Sequence, residues 1–556
     1  MTSRMILVTA LAAGCMTRPA PQFAIAPAVT AVDDRRDVPD QPAERAFYAD
    51  LYNFDGTFHR RVTRAFEVPR SRRALGTNAL DEVPDSTWFT NRIGIRTLTP
   101  DEIRTGPLHH DSPEHHRPWT IRSTKIGGTS LGLIIKDTRG DKYLVKFDMR
   151  GFPETETASH VIVNRLLWAC GYNVPEDQIV AFSPHDLVLP PDAKVVDRNG
   201  DSHHFTRAEL DRQLALVEHL PGGRIRALAS RWLDGKPLGG HPDEGVRDDD
   251  PNDRIPHELR RDLRGAYALF AWLDHVDVKE ANFLDMWTTD PADKARHYVV
   301  HYLVDFGRSL GAGAAFGSNL RAGFSYIFDF ADMGVSLMTF GIADRPWEHR
   351  RPPNLRGIGV FEADTYAPAA WKPAYPDYTP LLVADRFDKF WAAKLAIRFT
   401  RAQLHAAVEA GRLSDPRAVE YLTDVLAARQ RATARYWFER VAPLDHFDID
   451  DNRIAFDDLA LVYGLAPQTH TRYRVTTFAR DGRALGPAHV VEADPRGPQS
   501  TAALVLAPDP DGYTIVMIET VRTTAAGKPI FDGETSIHVA REIRSRTPRI
   551  VGVVRS

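Results

Sequence analysis

The stretch His275-Val276-Asp277-Val278-Lys279-Glu280-Ala281-Asn282, with Asp305-Phe306-Gly307 beyond it, carries the side-chain types needed to move a phosphoryl group to a hydroxyl. A carboxylate must take the proton of the attacking hydroxyl, and a cation must neutralise the moving phosphate. An amide and a second carboxylate must hold magnesium against the phosphate oxygens. Asp277, Lys279, Asn282 and Asp305 are those types in that order, with Asp277 and Asn282 five positions apart. A polar loop between a helix and a hairpin would also hold Asp, Lys and Asn. Four specified positions within eight residues, plus a separate Asp-Phe-Gly run, go beyond that background.

Written as H-x-D-x-K-x-x-N followed by D-F-G, the pattern resembles the protein kinase-like superfamily. That resemblance implies Asp277 and Lys279 as catalytic groups and Asn282 and Asp305 as metal ligands. It implies ATP with Mg²⁺ or Mn²⁺, and an upstream glycine-bearing turn and lysine for the nucleotide. Trp119–Ile126 and Leu131–Asp137 read as strands, with Gly127, Gly128 and Gly132 in the turn between them, and Lys142–Phe147 as a third strand. Such a turn lets backbone N–H groups approach phosphates without side-chain obstruction. Lys146 falls where a kinase-like fold keeps its phosphate-gripping lysine. Two rival motifs overlap the turn. Gly127–Gly132 has P-loop glycine spacing, but Leu133 stands where Lys is needed. Gly128-Thr129-Ser130-Leu131-Gly132 spells G-x-S-x-G, but a nucleophile elbow leads into a helix and this segment leads into a strand.

The elements that must position these residues follow from periodicity. A helix beginning near Pro153 places Ala158, Val161, Ile162, Leu166 and Ala169 on one face. It puts Glu154 at the edge of that face as the expected partner of Lys146, with Glu156 pointing away. The short Lys146-to-Glu154 link is similar to atypical branches such as bacterial toxin kinases and phosphatidylinositol kinases. Gln178–Phe182 and Arg224–Leu233 read as strands, with a capping-box helix from Thr206 between them and a hinge at Asp234-Gly235. Pro256 opens a helix that delivers the chain into His275, and 282–287 with 297–304 form the hairpin that returns it to Asp305. No A-P-E run follows. Helices at 385–398, 401–410 and 416–440 fit a helical lower lobe. Tyr473–Phe478, Ala502–Leu506, Tyr513–Ile518 and Ile550–Val554 read as strands of an appended β-rich region.

The expected fold is therefore α+β, a two-lobed protein kinase-like fold with a β-rich upper lobe at 119–235 and a helical lower lobe at 236–440. An N-terminal extension at 46–118 and a β-rich domain at 441–556 flank it. The chain has 556 residues, 43% hydrophobic and 26% charged, and a formal charge of −4. It shows no long basic run with interleaved aromatics, so nucleic acid is not an expected partner. Arg4, the apolar run Met5–Gly14 and Leu11-Ala12-Ala13-Gly14-Cys15 resemble a bacterial lipoprotein signal over 1–15, followed by a proline-bearing tether over 16–45. The chain is thus expected as an exported, lipid-anchored monomer of the cell envelope, and as cytoplasmic only if translation starts at Met16. Cys170 reads as a core residue. His109, His110, His115 and His116, and the acidic Asp248, Asp249, Asp250 and Asp253, read as exposed loops. The function expected is an atypical kinase acting on a hydroxyl of a protein, glycan or small molecule. The alternative is a kinase-fold envelope scaffold with a vestigial site.

Overall fold

The computed structural model describes residues 22–65, 72–125, 131–196, 201–315, 320–450, 452–494, 497–524, 527–542 and 546–556. The expected lipoprotein signal, including Cys15, and Gly127 and Gly128 lie outside them. Two compact units divide the chain, one of residues 29–78 and 82–441, the other of residues up to 28, 79–81 and 442–556.

The larger unit opens with short helices α1 (Ala49–Phe54) and α2 (Arg60–Ala65), joined by a π-helical turn, and α3 (Pro100–Thr105). Thr99 and Glu102 close a reciprocal capping box on α3, which satisfies two otherwise orphaned N–H groups. Next come β1 (Trp119–Thr124), β2 (Gly132–Lys136), β3 (Lys142–Phe147), α4 (Thr155–Cys170) and β4 (Asp177–Phe182). Short strands β5 (Leu187–Val188), β6 (Lys194–Val196) and β7 (Ser202–His204), α5 (Arg207–Leu214) and β8 (Ile225–Arg231) complete this part. One eight-stranded sheet runs β4-β8-β3-β2-β1-β6-β7, with β5 beside β1. The two-residue period of a strand sorts its faces. Tyr143, Val145 and Phe147 enter a core with Trp119, Ile121, Ile135, Val180, Phe182, Ala227 and Ala229. Leu144 and Lys146 therefore share the opposite face.

Helix α4 lies on the sheet through Val161, which packs with Ile179 and Leu228. Every α4 residue except Trp168 is buried, Cys170 included, so it is a central helix and not the one-sided helix its apolar stripe predicted. Its polar residues are paired: His160 Nε2 lies 2.8 Å from Asp177 Oδ2, and Asn164 Nδ2 donates to the same oxygen at 3.0 Å.

Beyond β8 come β9 (Lys236–Pro237), α6 (Arg261–Leu273), β10 (Phe283–Thr289) and β11 (His297–Leu303), the three strands forming a sheet in the order β11-β10-β9. Pro256 does not open α6. It precedes a 3-10 turn at His257–Leu259, and the helix starts after Arg260, whose extended backbone breaks the run. The unit continues with α7 (Ala312–Ala315), α8 (Phe330–Met338), α9 (Thr379–Val383), α10 (Arg386–Ala396), α11 (Arg401–Ala410) and α12 (Pro416–Phe438). Asp385 and Thr400 cap α10 and α11 through boxes with Asp388 and Gln403. No helix among the described residues is long and apolar enough to cross a membrane.

The smaller unit is built of β12 (Leu444–Asp450), β13 (Arg453–Asp458), β14 (Thr471–Ala479), β15 (His489–Glu492), β16 (Gln499–Ser500), β17 (Thr514–Thr523), β18 (Pro529–Arg541) and β19 (Pro548–Arg555). Its sheets, β12-β13-β16 and β15-β14-β17-β18-β19, share a core that includes Leu444, Phe456, Tyr473, Val516 and Ile537. The apolar run Ala502–Leu506 is not a strand; it crosses the core as coil, with Leu504 N bonded to Asn452 O at 2.7 Å. The long β18 escaped the sequence reading because polar and apolar residues do not alternate cleanly along it.

Candidate active site

The site is assembled where the face of β3 carrying Lys146 meets the loop after α6. That helix ends at Asp274, whose left-handed backbone (φ 49°) turns the chain sharply, and Asp274 Oδ1 accepts the Trp371 indole N–H at 3.1 Å. His275 follows, buried, with Nδ1 2.9 Å from Ser309 Oγ. Burial lowers its pKa to about 4, so the ring is neutral and serves as a hydrogen-bonding strut. Lys279 Nζ donates to Asp277 Oδ1 at 2.6 Å, and the Asn282 side-chain amide donates to the Asp277 carbonyl. The loop thus fixes Asp277 from two sides before β10 begins.

The hairpin β10–β11 then returns the chain to Asp305. Val304 N donates to the Asn282 backbone carbonyl at 3.0 Å, which ties the segment before Asp305 to the end of the loop. Asp305 has a left-handed backbone (φ 65°), uncommon for a residue with a Cβ. The buried Phe306 lies between His160 and His275, with ring centroids 5.3 and 5.8 Å away. Gly307 is required by close approach: a Cβ there would come within 2.7 Å of Glu156 Cγ.

Lys146 Nζ lies 2.6 Å from Asp305 Oδ1. Burial depresses the lysine, but Asp305, Glu156 and Asp177 outweigh it and hold the ammonium above its ordinary value. Burial likewise raises the carboxyl, and Lys146, His160 and Lys125 overcome it, holding Asp305 well below the usual carboxylate range. Both members are charged. A second lysine stands beside them. Lys125, just past β1, has its N–H bonded to Gly132 O at 2.9 Å, and Gly132 pairs across the sheet with Lys146. The glycine leaves room for Lys125, since a Cβ at position 132 would sit 3.0 Å from both Lys125 Cβ and Val145 O. Burial first, and then Lys146, lower the Lys125 pKa.

Two cavities open from this point. One, of about 350 Å³, has mainly apolar walls, including Leu144, Leu233, Leu284, Met286 and Val304, with Lys146 at its polar end. The other, of about 480 Å³, is lined by Glu156, Asp277, Lys279, Arg308, Arg321 and Tyr375 among others. Lys125 and Asp305 line both. The donor set suits a hard divalent cation, which takes oxygen ligands: an Asn282 whose side-chain nitrogen is already turned to backbone, and an ionised Asp305.

No family model matches this chain, and no curated protein matches it. Among solved structures it is similar to one described as the crystal structure of the Golgi casein kinase with Mn/ADP bound. The two share 10% identity at a TM-score of 0.29, over 61% of this chain and 73% of that chain. The overlap is too loose to carry a residue's role from one chain to the other.

Of the residues singled out in the sequence, Lys146, Asp305, Asp277, Lys279, Asn282 and Gly132 come together. Glu154 does not join them. The helix begins at Thr155, and Glu154 precedes it with a left-handed backbone (φ 65°), so a helical projection does not apply to it. Its carboxylate accepts from Arg356 Nε and Ser414 N, each at 2.9 Å. Glu156, one helical position in, lines the second cavity instead. Lys125 was missed; its only sequence signal is its place at the end of the strand that enters the glycine turn. The acidic loop is not wholly solvated: Asp250 and Asp253 are buried, and Asp253 Oδ2 lies 2.7 Å from His257 Nε2. Of the other histidine group, His109, His110 and His115 are exposed as expected and His116 is half-buried; His110 lies against Glu176, and His115 and His116 against Asp111.

Proposed function

We propose that the chain is an atypical ATP-dependent phosphotransferase of the protein kinase-like superfamily, moving the γ-phosphate to a hydroxyl on a protein, glycan or small molecule. The observation that carries this reading is the junction of an apolar and a polar cavity at Lys125 and Asp305. A nucleotide has the same division: a flat, largely apolar base at one end and charged phosphates at the other, where the acceptor must approach. The base occupies the cavity walled by Leu144, Leu284 and Met286, and Lys146 and Lys125 meet the phosphates. Asn282 and Asp305 hold Mg²⁺ or Mn²⁺, which when bound neutralises the phosphate oxygens. The acceptor hydroxyl enters the second cavity, where Asp277 takes its proton as the new O–P bond forms and the bond from the γ-phosphorus to the β,γ-bridging oxygen breaks, so that ADP leaves. Lys279, 2.6 Å from Asp277, orients that carboxylate and offers its charge to the transferring group.

The deciding experiment incubates the purified chain with ATP labelled at the γ or the α position, with magnesium or manganese, and asks which label is transferred. Transfer of γ label supports the reading. Transfer of α label makes the chain an AMP transferase, and transfer of neither, with no thermal shift at millimolar ATP, makes the site vestigial. We further propose, on the Leu11–Cys15 sequence alone, that the enzyme works from the cell envelope on a lipid anchor.

A further inference from the structure

On the far side of the hairpin that carries Asn282 and leads to Asp305, three side chains converge. Asp285 on β10 and His301 on β11 are direct cross-strand partners. The chain after β9 continues to pair with β10, with Leu238 N bonded to Asp285 O and Asp285 N to Gly239 O, each at 2.9 Å, and this delivers His241 to the same point. His301 Nδ1 lies 2.7 Å and His241 Nδ1 3.4 Å from Asp285 Oδ1. One ligand atom from each residue lies within 4.8 Å of the other two, and all three side chains are buried.

A hydrogen-bonded relay accounts for only part of this. His301 bonds well to Asp285, whereas the buried His241 Nδ1 stands 3.4 Å from the same carboxylate oxygen, outside good hydrogen-bond geometry. A buried ring nitrogen held by so long a contact is costly, and a third group at the centre would satisfy it. The outer contacts are those of metal ligands held in place. His241 Nε2 lies 2.9 Å from the Tyr378 hydroxyl, Arg247 faces the other Asp285 oxygen at 3.4 Å, and Trp88 stacks on His301 with centroids 3.5 Å apart. Ligand histidines commonly use the second ring nitrogen in this way. A void of about 10 Å³ touching His241 and His301 has room for about one water.

We propose that His241, Asp285 and His301 bind a structural transition-metal ion, zinc by its ligand types, with water as the fourth ligand. The two nitrogen donors separate this site from the all-oxygen Asn282 and Asp305 pair. The ion ties the segment after β9 to both strands of the hairpin, and so steadies the platform from which Asn282 and Asp305 project. His257, with Asp253, packs 4.7 Å from His241 by ring centroids as part of the surrounding shell and not as a ligand.

The test uses the full chain, purified without a histidine tag, with Asp305→Ala as the background so that cleft-bound metal does not count. Elemental analysis should find about one zinc per chain. A strong chelator should lower Tm by several degrees, and zinc but not magnesium should restore it. His241→Ala should abolish the zinc while far-UV circular dichroism persists. Should that variant fail to fold, chelation and refilling of the background protein decide the matter. Metal-free protein that neither binds micromolar zinc nor shifts in Tm overturns the proposal, as does undiminished zinc in a folded His241→Ala variant.

Discussion

Asp305→Asn should destabilise the protein more than Lys146→Met, although both break the same 2.6 Å ion pair. The asymmetry comes from burial: the Lys146 side chain is 6% exposed and the Asp305 side chain 36%. Removing the carboxylate's charge leaves a largely buried ammonium with only the more distant Glu156 and Asp177 to offset its desolvation. Removing the ammonium leaves a carboxylate that water can solvate, and methionine preserves the lysine's apolar stem. Breaking a fully buried pair costs roughly 3–5 kcal/mol. Because Asp305 is about a third exposed, solvent screening reduces that to about 1–3 kcal/mol for Asp305→Asn and about 0–1 kcal/mol for Lys146→Met. The double variant should then resemble Lys146→Met and not the sum of the two.

The pH dependence carries the same signature. In wild type Asp305 titrates below its unfolded value, so its contribution is present above about pH 4 and is lost as pH falls toward the folded pKa. Lys146 titrates above its unfolded value, so its contribution is full below about pH 10 and is lost as pH rises through the folded pKa. Wild-type stability from this pair is therefore flat across neutral pH. In Asp305→Asn the desolvation of Lys146 loses its chief opponent and the folded pKa drops. The unfolded state then binds more protons, and stability rises between about pH 7 and 10 relative to wild type. Urea unfolding of the four nucleotide-free proteins at both pH values measures this. Equal costs for the two single variants, strict additivity, or no relative gain at high pH would refute the burial argument.

Asp277→Asn should retain nucleotide binding, because the side chain is nearly isosteric, while turnover falls by about 10² or more; wild-type turnover in that variant would dismantle the catalytic-loop assignment. Glu154→Gln should leave ATP affinity unchanged in a binding titration and cost about 1–2 kcal/mol in urea, since its carboxylate holds Ser414 N and Arg356. Glu156→Gln should do the reverse, weakening ATP binding because it lies beside Lys146 and Gly307; a loss of affinity in Glu154→Gln instead would restore the sequence-based pairing. Cys15→Ser should release the protein from membrane fractions, and unchanged fractionation would rule out the lipid anchor.

How far the sequence could be read depended on how each group reaches its position. Asp277, Lys279 and Asn282 are positioned by one loop, so their spacing alone carried the chemistry. The strand at Lys142–Phe147 was legible from its pattern, and the resemblance then singled out Lys146 on it. Glu154 failed because the helix starts at Thr155, so the ~100° per residue projection does not reach it, and no local signal marked the left-handed turn at 154. Lys125 and His241 were not legible for a further reason. Each becomes functional only through partners contributed by distant segments: Asp305 for the first, Asp285 and His301 for the second. Those partners are placed by the β10–β11 hairpin, whose lysine-facing end carries Asn282 and Asp305 and whose buried interior carries Asp285 and His301. A change on one face of that hairpin must therefore be felt on the other, so zinc removal and Asp305 substitution should show non-additive effects on stability even though the two sites share no ligand.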